Sequence, residues 1–232
     1  MPIHISTADF DTDWPAIWQV LLESSEDACL SFDQHRDFAS QALKETEDEW
    51  RRRMVEHVKK TYATDPTSYI VKAVDTNFGN IVGVALWNIY TTSSGLKGAT
   101  TKQNKWKIYG DEDMTQDANG VQERQVSAMK LVGYPHVFLV AIAAHPRYET
   151  PEVKRLLMQW GLDRADSLGL EAWSYSANPD ASLYVSSGFQ SVDQNTPDLP
   201  DSGPSTLWRM CRPGARNRRA HKDFYLDTQG FW

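Results

Sequence analysis

The sequence predicts a single mixed α/β domain, of the α+β kind, built on one sheet. Three observations predict this class. Short β-branched runs alternate with amphipathic stretches along most of the 232 residues. Two of the runs, SYIVKAV and NIVGVALWNIY, flank the turn-forming DTNFGN and so predict an antiparallel hairpin. A third, HVFLVAIAA at 136–144, reads as a buried strand that a short turn joins to a long amphipathic helix.

In chain order, PIHIS (2–6) is the opening strand. DWPAIWQVLLESS follows as a helix, with Asp13 as N-cap, Pro15 in the first turn and an apolar stripe of Ile17, Leu21 and Leu22. A linker, CLSFDQHRDF, leads to a second helix at about 45–62, where Trp50, Met54 and Val58 recur every four residues. Arg51, Arg52 and Arg53 spread around that helix as a solvated face. After the hairpin, residues 91–120 are polar and rich in Gly, Thr, Lys and Asp, the composition of a long surface insertion. Val121, Ala128 and Met129 suggest a helix before the strand at 136–144.

The next helix is predicted from Thr150 to about Ser167, with Thr150 as N-cap, Pro151 at its first position and Gly169 just past its end. LEAWSYSA is another strand, PDASLYVSSGF a short helix closed by Gly188, and STLWRMC a last strand. Residues 212–222 carry Arg212, Arg216, Arg218, Arg219 and Lys222 and no acidic residue, so the domain is placed at 1–211 and a basic tail at 212–232.

Composition narrows the function classes. At 41% hydrophobic and 24% charged the chain resembles an ordinary soluble domain able to bury a sizeable core. A net charge of -7 argues against nucleic acid or an anionic membrane surface as the main partner and suits a cationic or amine substrate. The start, MPIHISTADF, has neither the basic nor the apolar region of a secretion signal, and no segment approaches about 18 apolar residues. Cys29 and Cys211 are the only cysteines and fit no metal spacing, which predicts a reducing, cytoplasmic home. The six His are scattered, with no helical pair, so no metal is expected.

The element order and three phrases of the second half resemble the GNAT family of N-acetyltransferases. VAIAAHPRY resembles that family's central strand with its closing His-Pro, and LLMQWGLDRADSLGLEAWSYSA its cofactor helix and the strand after it. SLYVSSGFQSV is similar to its Tyr-x-x-x-Gly-Phe close. The resemblance is dense over about 134–191 and sparser over 69–90. It implies a mixed sheet with helices on both faces and a V-shaped cleft where two central strands, near 139–144 and 171–176, splay apart.

The resemblance also implies an activity: transfer of an acyl group, most simply acetyl, from acetyl-CoA to an amine. The cofactor's pantetheine arm would pair with the backbone of Ile142, Ala143 and Ala144. One amide there would stabilise the charge that develops on the thioester carbonyl, a contribution typically worth about 3 to 4 kcal/mol. Tyr184 would give a proton to the departing thiolate; taken alone it is equally a packed aromatic at a helix start. Asn178 would contact the cofactor, or else only form the turn before Pro179.

The turn HPRYETPEVKRLL departs from the family. There, glycines in an Arg/Gln-x-x-Gly-x-Gly/Ala loop open backbone N–H groups to the pyrophosphate at a helix N-terminus. Here both glycine positions are lost, Pro151 removes a donor, and Glu149 and Glu152 place carboxylates near the expected phosphate site. Arg147, Lys154 and Arg155 are the cations that would compensate from their side chains. The expected outcome is an intact fold with a remodelled cofactor site.

Three functions follow. The first is an acyl-CoA-dependent transferase acting on a small-molecule amine. The second is an enzyme that kept the cleft without the cofactor and does acid–base chemistry on an organic substrate. Its candidate walls are Phe32, Trp87, Tyr90 and Trp173, and its candidate proton carriers Asp33, His35, His136 and Tyr184. The third is a non-catalytic binding module.

Overall fold

Hydrophobic alternation along the chain resolves, in the computed structural model, into one seven-stranded sheet. The structure describes residues 2–24, 46, 49, 52, 65–91, 134–148, 151–176, 182–195 and 207–215. The described elements are β1 (Ile3–Thr7), α1 (Phe10–Glu23), β2 (Ser68–Asp75), β3 (Asn80–Tyr90) and β4 (His136–Ala144), followed by α2 (Pro151–Leu168). β5 (Glu171–Ser176), α3 (Ser182–Ser186), β6 (Gln190–Asn195) and β7 (Leu207–Arg212) complete them. The strand order is β1-β2-β3-β4-β5-β7-β6, with β4 and β5 parallel and the other neighbours antiparallel.

Helix α1 begins earlier than its proline suggested. Asp9, not Asp13, is the N-cap: its Oδ1 accepts the Asp11 and Thr12 amides at 2.9 and 3.1 Å. Asp13 reaches back to accept the Asp9 amide at 2.7 Å, so the two carboxylates close the helix start reciprocally, and Pro15 falls inside the helix on its exposed side. Trp14, Ile17, Trp18, Val20 and Leu21 bury against Ile70, Val84, Leu86, Ala141 and Ala143 on one face of the sheet.

Helix α2 covers the other face. Val153, Leu157, Met158, Gly161, Leu162 and Ala165 form its buried stripe, over Val82, Ala85, Trp87, Leu139 and Ile142. Two glycines set how closely it lies. A Cβ on Gly161 would be 2.3 Å from the Trp87 ring, and one on Gly83 would be 2.6 Å from Val153 Cγ1. Gly169 ends the helix at φ +68°, as the sequence predicted.

The strand β6 was not expected: QSVDQN has one apolar residue, Val192, and that residue is exposed, so no alternation announces it. It is a strand because β7 offers it an edge. The tail boundary also moves. Arg212 is the last residue of β7, and its buried guanidinium meets the Asp166 carboxylate through two hydrogen bonds of 2.8 and 2.9 Å. Of the helix expected at 45–62, Thr46, Glu49 and Arg52 alone are described. Thr46 donates to the Glu49 carboxylate from its amide and its hydroxyl, and the Glu49 amide donates back to Thr46 Oγ1 at 3.4 Å, the reciprocal pattern of a helix start. The insertion at 91–120 lies outside the described residues, except Thr91. So do the helix expected around Val121, Ala128 and Met129, and the side chain of Leu22.

Candidate active site

The cleft begins at a bulge. β4 pairs with β5 from His136↔Glu171 to Leu139↔Ser174, and the ladder stops there. On the other side of β4, Leu139 faces Trp87 and Ala141 faces Leu86, which leaves Val140 without a counterpart. An extra residue of this kind bends its strand and raises the local twist. Beyond it β4 follows β3 as far as Ala144↔Gly83, while Tyr175 and Ser176 of β5 stay with Arg209 and Trp208 of β7. Each strand keeps its outer neighbour, and the gap opens between them.

The exposed backbone of the gap follows from alternation. The His145 amide donates to the Val82 carbonyl at 2.9 Å, so it points toward β3. Successive strand residues turn their backbone groups to opposite edges. Ile142 and Ala144 therefore aim theirs into the cleft, whereas Ala143 aims its own at β3.

Tyr184 stands at the fork. Its hydroxyl donates to the Tyr175 carbonyl at 3.3 Å and lies 3.3 Å from Ser174 Oγ, at the last rung of the β4–β5 ladder. Its ring meets Phe189 edge to face at 5.6 Å, and the Phe189 amide donates to the Tyr184 carbonyl at 3.0 Å. Gly188, at φ +84°, makes that tight return to β6 possible. The Tyr-x-x-x-Gly-Phe spacing thus closes one turn around the tyrosine and fixes where its hydroxyl points.

The turn after β4 is a 3-10 helix, Pro146–Tyr148, that uses its own donors. The Arg147 amide donates to His145 Nδ1 at 3.1 Å and the Tyr148 amide to the His145 carbonyl at 2.7 Å. Because Nδ1 accepts an amide, the ring proton is assigned to Nε2, which lies 2.9 Å from Glu23 Oε2. The backbone donors that a phosphate would need at Arg147 and Tyr148 are thus taken up internally. An open groove of about 490 Å3 lies between α1 and this turn, lined among others by Asp13, Gln19, Asn80, His145 and Arg147.

The side-chain cations differ in where they point. Lys154 heads the stripe that continues through Met158, Gly161 and Ala165, so it leaves α2 toward the sheet, and it is half-buried. Glu152 lies two residues away, about 200° around the helix, and is exposed. The carboxylate expected to oppose a diphosphate therefore faces away from the sheet. Arg147 and Arg155 are exposed. Glu149 and Thr150 lie outside the described residues.

The aromatic candidates separate. Trp87 is fully buried beneath α2 against Gly161, which makes it core and corrects its reading as a cleft wall. Tyr90 and Trp173 belong to a second aromatic group, with Phe138, on the α1 side of the sheet. Tyr90 lies 4.9 Å from the His136 ring, and Phe138 lies 5.9 Å from Tyr175. Burial and the nearby Asp65 carboxylate push the Tyr90 hydroxyl up to about 12, so it is a hydrogen-bonding group here, accepting from Asn88 at 3.2 Å. Trp173 donates to Glu171 at 3.2 Å and lines a cavity of about 170 Å3 at the end of β5 away from the fork. His136 is fully buried, with Nδ1 2.9 Å from the Tyr134 carbonyl, and burial holds its imidazole below the ordinary value. Phe138, Ser174 and Tyr175 were not singled out in the sequence; their signal is register, since Phe138 and Trp173 are direct neighbours on β4 and β5. Phe32, Asp33, His35 and Asn178 lie outside the described residues. Among the described residues no group of three metal-ligating side chains occurs, and no helix is long and apolar enough to cross a membrane.

No family model matches the chain, and no curated protein matches it. Solved structures do. The Corynebacterium glutamicum histone acetyltransferase HPA2 and related acetyltransferase superposes with a TM-score of 0.56 at 21% identity, covering 93% of this chain and 98% of that one. The polyamine N-acetyltransferase of Drosophila melanogaster, which forms N-acetylagmatine, gives 0.58 at 13% identity over 90% of this chain and 99% of its own. Arylalkylamine N-acetyltransferase 2 of Aedes aegypti gives 0.57 at 13% over 92% and 99%. With the splayed β4–β5 pair and its bulge, these likenesses show that the chain has the fold of the GNAT-type N-acetyltransferases.

Proposed function

We propose that the protein transfers an acyl group, most simply acetyl, from acyl-CoA to the amine of a small molecule. The observation that carries this reading is the Tyr184 hydroxyl at the last rung of the β4–β5 ladder, where the two strands part and β4 runs on through Ile142 and Ala144 without a β5 partner. Bound acyl-CoA would supply an activated acyl carbon on a thioester. The Ile142 and Ala144 backbone would hold the extended arm as a false strand, and an amide of that edge would face the carbonyl oxygen where negative charge grows. Tyr184 would give a proton to the sulfur as the amine nitrogen replaced it on the acyl carbon, and would be reprotonated from solvent, which would also take up the amine's surplus proton. Arg147, Lys154 and Arg155 would hold the diphosphate by side chains, because the Arg147 and Tyr148 amides are engaged. The net negative charge supports a cationic amine as acceptor.

The internally bonded turn also supports a second reading, a cleft enzyme that has abandoned acyl-CoA and uses Tyr184 for acid–base chemistry on an organic substrate. One experiment separates the two. Calorimetric titration with acetyl-CoA and with free CoA, followed by turnover assays on amines, should show binding and turnover that depend on the thioester. Tyr184→Phe should then lower kcat by about 10- to 1000-fold with KM nearly unchanged, because it removes a proton donor and keeps the ring. Turnover that ignores CoA esters would favour the second reading, and full activity in Tyr184→Phe would make the residue a packing group.

A further inference from the structure

The fork holds a second hydroxyl whose surroundings are unusual. Ser174 is 2% exposed and occupies the last rung of the β4–β5 ladder. Its Oγ has three acceptors in reach: the Leu139 carbonyl at 3.1 Å, the Tyr175 carbonyl at 3.3 Å and the Tyr184 hydroxyl at 3.3 Å. A serine hydroxyl has one proton and rotates to place it, so it serves these acceptors one at a time. With Tyr184 protonated, the tyrosine donates to the Tyr175 carbonyl and Ser174 is free to donate across the ladder to Leu139. Once Tyr184 has given up its proton, its oxygen and the Tyr175 carbonyl face each other as two acceptors 3.3 Å apart. That arrangement is repulsive unless a donor moves in.

Building on the acyl-transfer reading, we propose that Ser174 is the positioning residue of Tyr184, turning its hydroxyl from the Leu139 carbonyl to the tyrosine oxygen as that oxygen becomes charged. The serine keeps its proton throughout and changes only its acceptor. A hydrogen bond to an ionised oxygen is about twice as strong as a neutral one, so the exchange favours the proton-transferred state. Ser174 is buried and Tyr184 half-buried, so water screens the contact only in part.

The charged groups around α3 do not substitute for this contact. Arg212, whose Nε would lie 3.6 Å from a Cβ on Gly188, is bound by Asp166 of α2. On β5, Glu171 is engaged by Tyr134 and Trp173 at the far end of the strand; on β7, Arg209 is in register with Tyr175 and its guanidinium lies 5.6 Å from the Trp173 ring; β4 presents Leu139 at the fork. At the head of α2, Lys154 is half-buried, while Glu152 and Arg155 are exposed.

The test compares the full chain with Ser174→Ala, Ser174→Thr, Tyr184→Phe and the Ser174→Ala/Tyr184→Phe double variant, in acetyl-CoA-dependent turnover across pH. Ser174→Ala should lower kcat about tenfold, a typical loss for a bond to a charged group, with KM within about twofold. Its basic limb of kcat should move to higher pH, because a phenolate without its donor forms less readily, and Ser174→Thr should restore both properties. In the Tyr184→Phe background the serine substitution should cost nothing further. An unmoved basic limb, or an equal loss with and without the tyrosine hydroxyl, would overturn the proposal. A readout free of turnover uses tyrosine labelled with carbon-13 at Cζ, the Tyr184 resonance being assigned by its loss in Tyr184→Phe. If that signal titrates at higher pH in Ser174→Ala while no CoA ester is turned over, the transferase reading fails and the coupling stands. Identical titration in both proteins overturns the coupling itself.

Discussion

Replacing Gly161 by Ala sets two effects of opposite sign against each other. Gly161 lies inside α2, where Ala is favoured over Gly by about 1 kcal/mol for helix formation alone. Against that, the new Cβ would lie 2.3 Å from Trp87 Cε2 and 2.5 Å from both Cδ2 and Cζ2. Carbon atoms in contact rest at about 3.5 to 4.0 Å, so helix and ring must separate by roughly 1 Å or more. The partner is a rigid indole at 0% exposure, with no far end to swing aside. Overpacking of this kind costs about 1 to 3 kcal/mol, and lifting α2 also weakens its contacts with Ala85, Leu139 and Ile142. The clash should win: Gly161→Ala is expected to lose about 1 to 2 kcal/mol net. Urea unfolding followed by far-ultraviolet circular dichroism measures it, with an unchanged slope showing that only stability moved. Trp87→Leu should make the same glycine substitution much less costly, a coupling that a double-mutant cycle reads directly. A variant about 1 kcal/mol more stable than the parent would refute the reasoning, since helix propensity would then be the whole effect.

The other predictions concern charge. Lys154→Ala should weaken coenzyme A binding about tenfold in calorimetry, the size of one charge-assisted contact, whereas Glu152→Gln should change it less than about twofold because that carboxylate is exposed and turned from the sheet; a larger effect from Glu152→Gln would place the diphosphate on the other side of the helix. Burial lowers the His136 imidazole from its ordinary 6.5, an effect only partly opposed by the Tyr134 carbonyl and Glu171. The unfolded chain therefore takes up this proton first as pH falls. The contribution is whole above about pH 6.5 and is lost below it, so the parent should lose more stability than His136→Phe between pH 7 and 5. Parallel pH–stability curves for the two proteins would dismiss the histidine as their cause.

Much of the fold was legible in the sequence because its signals are local. The hairpin is announced by two β-branched runs around DTNFGN, and α2 by an apolar stripe with Pro151 at its head and Gly169 past its end. The Tyr-x-x-x-Gly-Phe spacing likewise located Tyr184, since the turn that aims it closes within five residues. Local signals also misled. Pro15 suggested a helix start at Asp13, but the reciprocal Asp9–Asp13 bonds begin α1 at Phe10. Glu152 looked like an obstacle to phosphate from its place in the turn, while its direction depends on which side of α2 the sheet covers.

What the sequence by itself determined is the set of elements, their order and the presence of a tyrosine beside a strand end, all properties of contacts between residues close in the chain. Only the tertiary structure decided where the sheet splits. The split depends on Val140 having no counterpart on β3, a matter of register between strands some 50 residues apart. It also decided that Trp87 is core, that β6 exists, and that Ser174 meets Tyr184 and Leu139 at one point. Each of these is set by which distant neighbour a residue faces, and periodicity along one chain segment carries no information about that neighbour.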